Sequence, residues 1–382
     1  LNDCRWTYNK GVEYFNEYGI SNAMTLRDYL VTKHALKLNT DLIIPNYLFN
    51  PIPNNIYNTP KSIRYNVLRN LQGSIKSAFS NLKNKNIKYF KMKFKSSKRN
   101  DFTTLIEDNN SASIIRDTDL NKSYLNITGI KNIRIKTNET LDINAQIILK
   151  KDLLGWYIYI PKSTITNVLP ETEQTKKLIA FDPGIRSFLT GIDLEGNLIE
   201  IAPNNQFCLT KLKLKRNLFK SKLDLLNTNN KTYKEYKSYV RAKYNFYLIT
   251  NKIKNYIKEL HYKTCNYLVK TYDKVILPKF NTQKLIKKEK YSNKFNDMIL
   301  SLNHYSFRDL LISKFKQFNK RVILTSEEYT SVTCSSCNLL KNNLYENKVY
   351  ECSNCGFKSD RDFNASYNIL RFTINKSLSL LN

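Results

Sequence analysis

Four cysteines form the clearest chemical pattern in the sequence. They occur as two Cys-x-x-Cys pairs, Cys334/Cys337 and Cys352/Cys355, with 14 residues between the pairs. Each pair presents two thiolates on one tight turn, and a hairpin between the turns brings all four together for tetrahedral Zn²⁺. In a basic chain this spacing predicts metal binding rather than disulfides. Because four protein ligands leave no position for water, the predicted zinc is structural.

Aspartates beside predicted element boundaries form a second set of candidate metal ligands. Asp182 ends the short apolar segment 178–181 and precedes a Pro-Gly pair, and Asp360 and Asp362 follow the second cysteine pair. Taken singly, an Asp before Pro-Gly is usually a turn residue, and an Asp before a helix is usually an N-cap. Taken together, in a strongly basic chain, they indicate oxygen ligands for Mg²⁺ in phosphodiester chemistry.

The order of these motifs resembles the RuvC-like nuclease of the TnpB family and of type V CRISPR effectors. The shared order is a strand ending in Asp-Pro-Gly, a cysteine insertion, and an Asp-Arg-Asp-x-Asn-Ala helix that starts at Asp360. Residues 182–191, 277–280 and 327–331 are similar to Fanzors, the eukaryotic and viral relatives of TnpB. The resemblance implies an RNA-guided DNA endonuclease, encoded by a transposable element, with an RNase H-like (RuvC) core.

The resemblance also implies roles for individual carboxylates. Asp182 and Asp362 correspond to the first and last catalytic Mg²⁺ ligands, which leaves Asp360 as a loop or capping residue. TnpB carries its middle glutamate at the end of a strand where this chain has Pro278, whereas Fanzors place a glutamate near the zinc insertion, which maps to Glu327. The expected catalytic set is therefore Asp182, Glu327 and Asp362, holding two Mg²⁺ ions.

The elements that position these residues give a multidomain α+β and α/β fold class. A run that alternates Phe90, Met92 and Phe94 with lysines, followed by several short apolar runs, indicates a small β-barrel or sandwich after a helical start. The predicted segments are a helical recognition lobe (1–86), a wedge-like β-barrel (87–170), the first part of the RuvC-like nuclease (176–331), the zinc-ribbon insertion (332–357) and the last part of the nuclease (358–382). The chain begins at Leu1, inside the helical part, whereas family members open with a barrel strand, so we expect a truncated N-terminus.

The charge of the chain predicts its partners. Lys and Arg number 62 against 32 acidic residues, a net charge of +30, and an excess this large self-repels unless a polyanion neutralises it. Nucleic acid is favoured over a membrane, because the charge is spread along the chain and no apolar run could span a bilayer. The resemblance specifies a guide RNA from the element end and target DNA with a short flanking motif. The expected compartment is intracellular, and the nucleus in a eukaryotic host.

Three functions stay open at this level. The first is RNA-guided DNA cleavage, the second is RNA-guided DNA binding without cleavage, and the third is transposase-type DNA strand transfer, which RNase H-like folds also perform. The complete carboxylate set favours cleavage over binding alone. Strand transfer is disfavoured because the sequence indicates no separate site-specific DNA-binding domain.

Overall fold

The chain divides into two compact units, Leu1–Thr164 and Ile165–Asn382. The structure is a computed structural model, which describes residues 2–32, 53–96, 103–106, 112–117, 122–128, 143–151, 153–162, 177–227, 232–280, 292–326, 329–340 and 348–378. Among these residues, no helix combines the length and apolar composition that a bilayer span requires. The division into five segments stays a prediction.

The helices of the first unit pack into one apolar core. The α-helices among its described residues are α1 (Asn2–Tyr18), α2 (Ala23–Leu30) and α3 (Lys61–Lys83). Gly11 shows how closely α1 approaches α3, because a Cβ atom at this position would lie 2.7 Å from Leu71 Cδ2 and 3.0 Å from Leu68 Cδ2. Both leucines are fully buried. A side chain at position 11 would therefore force these leucine side chains or the helix backbone to shift.

An extended segment, residues 91–96, lies where the alternating phenylalanine and lysine run predicts a strand. This prediction is wrong, because no strand in the described part of the chain pairs with it. Side chains of α1 bind its backbone instead: Asn9 Oδ1 accepts from Lys95 N at 2.7 Å and Asn9 Nδ2 donates to Lys95 O at 3.1 Å. Asn16 Nδ2 donates to Met92 O at 3.0 Å. Helix amides thus take the place of a neighbouring strand.

The described strands of the first unit form two small antiparallel sheets. They are β1 (Thr103–Ile106), β2 (Ala112–Asp117), β3 (Lys122–Ile127), β4 (Ile147–Lys151) and β5 (Trp156–Tyr159). One sheet has the order β1-β4-β5, and β2 pairs with β3. Leu125, Ile127, Ile147 and Leu149 are buried in the same apolar cluster as the helices. Closure of these strands into a barrel stays a prediction.

A five-stranded mixed sheet forms the centre of the second unit. Its strands are β6 (Leu178–Pro183), β7 (Leu189–Asp193), β8 (Leu198–Ile201), β9 (Lys274–Pro278) and β10 (Arg321–Thr325), in the order β10-β9-β6-β7-β8. Strands β6, β7 and β8 are successive antiparallel neighbours, whereas β9 runs parallel to both β6 and β10. Strand β6 therefore lies at the middle of the sheet, between the two kinds of pairing.

Helices cover both faces of this sheet. They are α4 (Asn205–Leu225), α5 (Tyr233–Thr271), α6 (Asn293–Leu302), α7 (His304–Gln317) and α8 (Arg361–Leu378). Ile179 and Phe181 of β6 pack in the cluster formed by α4 to α7. Ala180 packs with Ile369 of α8. Because successive strand residues point to opposite faces, α8 covers the face opposite to the other four helices.

A short antiparallel hairpin carries the second cysteine pair and runs directly into α8. Its strands are β11 (Val349–Glu351) and β12 (Lys358–Asp360). Strand β12 ends at Asp360 and α8 begins at Arg361, so no loop separates the cysteine hairpin from the helix that carries Asp362.

Candidate metal centres

The four cysteine sulfurs converge in the structure. Cys334 Sγ lies 3.7 Å from Cys355 Sγ, and Cys337 Sγ lies 3.6 Å from Cys352 Sγ. All four sulfurs lie within 4.8 Å of one another. In a tetrahedral site with Zn–S bonds of about 2.3 Å, neighbouring sulfurs are about 3.8 Å apart. The cluster therefore fits the structural zinc that the spacing predicts.

The two cysteine turns share one backbone geometry. The residue after the second cysteine of each pair is left-handed, with φ of 66° at Asn338 and 69° at Gly356. Asn338 N donates to Cys334 O at 3.0 Å, and Gly356 N donates to Cys352 O at 3.1 Å. Glycine and asparagine tolerate this conformation better than other residues do, so the sequence supplies a suitable residue at both positions.

Local hydrogen bonds and burial act in opposite directions on the thiols. The backbone N–H of Leu339 lowers the pKa of Cys337 to about 6, and the backbone N–H of Cys355 lowers the pKa of Cys352. Burial raises the pKa of Cys334 to about 11. Since zinc binds thiolates, the turn amides already favour the binding form of two ligands, and the metal itself must favour it at the buried one.

Asp182 lies near the end of β6, where the strand turns toward β7. It is half-buried and pairs in register with Thr190 of β7. The turn is tight, because Gly184 N donates to Phe188 O at 3.2 Å and a Cβ atom on Gly184 would lie 2.8 Å from Ser187 O. The side chain of Asp182 points to the same face of the sheet as that of Ala180, two residues earlier. This is the face that α8 covers.

Asp362 lies in the first turn of α8 and is largely buried, with 21% of its side chain exposed. Its backbone N donates to Asp360 Oδ1 at 2.9 Å, which is the hydrogen bond of an N-cap. Arg361 Nη2 lies 3.4 Å from Asp362 Oδ1. The structure thus gives Asp360 the capping role, as expected, and leaves Asp362 as the acidic side chain of the first helical turn.

One serine joins the surroundings of the two aspartates. Ser366 is fully buried, and its Oγ lies 2.8 Å from Thr190 O and 2.7 Å from Asp362 O. Thr190 is the residue opposite Asp182, so Ser366 links the first turn of α8 to the end of β6. Asp182 therefore lies on the sheet face that α8 covers, and Asp362 lies in the first turn of that helix. Carboxylate oxygens in this arrangement are suitable ligands for Mg²⁺.

The third predicted ligand, Glu327, lies outside the described residues. The described chain reaches Thr325 at the end of β10 and Ser326 after it. Thr325 pairs in register with Pro278, the last residue of β9, where TnpB proteins carry the middle glutamate. The position of Glu327 in the site stays a prediction.

His304, which belongs to no sequence motif, contacts the turn that follows Asp182. Its ring stacks on Phe188 with a centroid distance of 5.0 Å and an interplanar angle of 9°, and its Nε2 lies 3.2 Å from Gly184 O. Burial lowers the pKa of His304 to about 3, so the ring is neutral and Nε2 carries the hydrogen that the Gly184 carbonyl accepts. His304 thereby holds the turn after Asp182. No local pattern around an isolated histidine indicates such a contact.

The chain is similar to several known proteins. The sequence model of the Cas12f1-like TNB domain matches residues 304–369, from α7 through the cysteine hairpin into α8. TnpB-like protein L79 of Acanthamoeba polyphaga mimivirus is 28% identical over 235 residues, which cover 60% of this chain and 43% of that protein. Putative transposase A625R of Paramecium bursaria Chlorella virus 1 is 26% identical over 321 residues, which cover 81% of this chain and 69% of that protein. A solved Cas12f1–sgRNA–target DNA complex matches with 16% identity and a TM-score of 0.36, over 96% of this chain and 92% of that one.

These matches place the chain in one class of proteins. The class comprises viral TnpB-like proteins and putative transposases, together with proteins that carry a TNB domain. The chain is similar to these TnpB-like proteins, which supports the TnpB/Fanzor family that its motifs predict. It spans 43% of the length of each of three mimivirus TnpB-like relatives that it matches.

Proposed function

We propose that this protein is an RNA-guided DNA endonuclease that hydrolyses phosphodiester bonds with two Mg²⁺ ions. The observation that supports the proposal is the contact of α8, which carries Asp362, with Thr190, the residue paired with Asp182, through Ser366. The antiparallel β6-β7-β8 meander, continued by β9 and β10 parallel to β6, supports an RNase H-like core for this site.

The proposed catalytic residues act as metal ligands and as a scaffold. Asp182, Asp362 and Glu327 would hold the Mg²⁺ ions, which when bound lower the pKa of the attacking water and stabilise the charge on the leaving oxygen. His304 and the bond from Ser366 fix the backbone around the two aspartates. Preorganised ligands are important here, because small displacements of catalytic groups cost large factors in rate.

The proposed nucleic-acid partners are a guide RNA and a target DNA with a short flanking motif. The net charge of +30 supports a polyanionic partner. One relative is named as the CRISPR-associated endodeoxyribonuclease Cas12f1 of Sulfoacidibacillus thermotolerans, which is 30% identical over 77 residues. In such systems base pairing reads the target sequence, and the protein reads the flanking motif and the backbone.

DNA strand transfer is a second candidate, because two of the viral relatives are named as putative transposases. It would use the same carboxylates, but the nucleophile is a DNA 3′-hydroxyl instead of water, so a new phosphodiester bond forms as one bond of the target strand breaks and releases its 3′-hydroxyl. Non-cleaving RNA-guided binding is the third candidate. The three candidates differ in their products, so one assay separates them.

The assay uses the full chain purified with its copurifying RNA, which is sequenced to design a complementary duplex with a randomised flank. We expect Mg²⁺-dependent hydrolytic cleavage that disappears in Asp182→Asn and Asp362→Asn. The matched control is Asp224→Asn, which removes the same charge from an exposed position at the end of α4. Joined products would support strand transfer, and guide-dependent binding without any cleavage would support the non-cleaving candidate.

RNA dependence is tested on the same preparation. Affinity for the target duplex should fall steeply with salt, because many phosphates are neutralised and their counterions are released. Removal of the RNA by ribonuclease should abolish specific binding. Equal binding by treated and untreated protein would show that guide dependence is wrong.

A further inference from the structure

Two fully buried asparagines on α8 lie outside the set of predicted metal ligands. Asn364 is 1% exposed and Asn368 is 0% exposed. They are four residues apart and therefore lie on one side of the helix. A buried side-chain amide costs free energy unless its donors and acceptor are satisfied, so the partners of these two residues are informative.

Their partners belong to the segment that carries the first cysteine of the zinc site. Asn364 Nδ2 donates to Thr333 O at 2.9 Å, and Asn364 Oδ1 accepts from Ser335 N at 3.0 Å. Asn364 thus binds the backbone on both sides of Cys334. Asn368 Nδ2 lies 2.7 Å from Thr333 O and 2.9 Å from Thr330 O. The two amides together fix the backbone that leads into the first cysteine turn.

The same helix is fixed to the sheet and to the second cysteine turn. Ser366 lies between the two asparagines in sequence and bonds to Thr190 O of β7. Asp360, the last residue of β12, caps the helix at Asp362 N. Asp362 is therefore held by three contacts of α8: the sheet through Ser366, the first cysteine turn through Asn364, and the second cysteine hairpin through Asp360.

We propose that Asn364 and Asn368 are positioning residues that transmit the order of the zinc ribbon to the Mg²⁺ site. Zinc binding orders the first cysteine turn, the two amides hold α8 against this turn, and the helix holds Asp362 in its first turn against the strand pair that carries Asp182. Loss of zinc then weakens Mg²⁺ binding through the position of α8. The inference rests on the proposed function only in calling Asp182 and Asp362 the Mg²⁺ ligands.

The test uses Asn364→Asp and Asn368→Asp in the zinc-loaded full chain. Each substitution keeps the size of the side chain and one acceptor oxygen but removes the N–H groups that bind Thr333 O. The new carboxylate oxygen then faces the Thr333 carbonyl oxygen with no hydrogen between them. Tyr367→Phe, on the exposed side of the same helix, is the matched control. Zinc content is measured directly, Mn²⁺ affinity by electron paramagnetic resonance, and backbone order by amide hydrogen exchange.

We expect both Asp variants to bind Mn²⁺ about 10- to 100-fold more weakly, the range found when residues that orient metal ligands are altered. Amide exchange across residues 361–366 should be faster in the variants with zinc still bound, and chelation of zinc should accelerate the same amides in the unaltered protein. Exchange in β6 and β9 should be unchanged, which shows that the sheet is folded. Tyr367→Phe should match the unaltered protein.

Unchanged Mn²⁺ affinity in folded, zinc-loaded Asp variants would overturn the proposal, as would chelation of zinc that leaves α8 exchange unaltered. If Asn368→Asp fails to fold, Asn364→Asp, which loses a single donated bond, decides the question together with the chelation experiment. Failure of the proposed function is seen separately, as absence of cleavage by an unaltered protein whose α8 responds to zinc.

Discussion

Ser366 Oγ lies 2.8 Å from the carbonyl oxygen of Thr190, a contact between residues 176 positions apart in the chain. Thr190 is the residue opposite Asp182 in the β6–β7 ladder, and Ser366 is one helical turn after Asp362. The hydroxyl also lies 2.7 Å from Asp362 O. One buried side chain therefore links the helix that carries Asp362 to the residue paired with Asp182, the other proposed Mg²⁺ ligand.

Ser366→Ala should weaken this link without affecting nucleic-acid binding. A hydrogen bond of this kind contributes about 0.5–1.5 kcal/mol to stability. The variant should need more Mg²⁺ for half-maximal cleavage, because α8 is no longer held at Thr190, while guide-RNA affinity stays the same. The measurement is a Mg²⁺ titration of the cleavage rate beside a binding assay.

The matched control is Ser301→Ala on α6. Ser301 Oγ donates to Asp297 O at 2.7 Å, the same bond to the residue four positions earlier, and the described contacts include no bond from it to the sheet. Equal Mg²⁺ requirements in the two variants would argue against a positioning role for Ser366.

The zinc site gives the second prediction. Cys334→Ser and Cys352→Ser should each lower the zinc content below one per chain and lower the thermal stability of the second unit, because metal binding free energy is folding free energy in so small a hairpin. Cys208→Ser, an exposed cysteine of α4, should change neither quantity. Metal analysis and thermal unfolding check the result. One zinc per chain in both ribbon variants would contradict the assignment.

Local sequence patterns predicted a large part of this site. The cysteine spacing and the residues after each pair determine a geometry that depends on few distant contacts, and the cluster converges as expected. Strands β6, β9 and β10 were predictable because each contains a short apolar run: β6 and β9 are buried inside the sheet, and β10 lies at its edge. The N-cap role of Asp360 likewise follows from its place before a helix.

Other features depend on contacts that no local pattern encodes. The run at residues 91–96 alternates like a strand, but the amides of Asn9 and Asn16 bind it instead of a neighbouring strand. His304 and Ser366 acquire their roles only when α7 and α8 pack beside β6 and β7. His304 is 120 residues from Gly184, and Ser366 is 176 residues from Thr190. Spacing along the chain carries no information on such pairs.

Buried His304 gives a pH prediction. Burial lowers its pKa from 6.5 to about 3, so below pH 6.5 the unfolded chain binds a proton that the folded chain does not. The unfolded state is therefore favoured as the pH falls, and stability from this residue decreases by about 2 kcal/mol between about pH 7 and pH 5. Burial lowers the pKa of His261 as well, which acts in the same direction.

His304→Phe should remove the part of this pH dependence that comes from His304. Phe keeps the stacking on Phe188 but cannot titrate, and loss of the bond to Gly184 lowers stability equally at both pH values. Urea unfolding followed by circular dichroism at the two pH values gives the comparison. An identical decrease in stability for variant and unaltered protein would assign the titration to other groups.

The last prediction concerns Glu327, the proposed third Mg²⁺ ligand, whose neighbour Glu328 offers the same charge one position away. The resemblance favours Glu327, because it fills the first position of the Fanzor-like Glu-x-Tyr-Thr-Ser pattern ahead of the first cysteine turn. The strand pairing supports the same choice: β10 runs parallel to β9, and Thr325 at the end of β10 pairs with Pro278, where TnpB carries its glutamate.

Glu327→Gln should then nearly abolish cleavage, since a neutral amide is a poor ligand for a hard cation, yet it should keep guide-RNA and target-DNA affinity. Glu328→Gln makes the same change in charge and should keep cleavage. Single-turnover cleavage rates at saturating Mg²⁺, measured beside duplex binding, distinguish the two, and full activity in Glu327→Gln with loss in Glu328→Gln would transfer the role to Glu328.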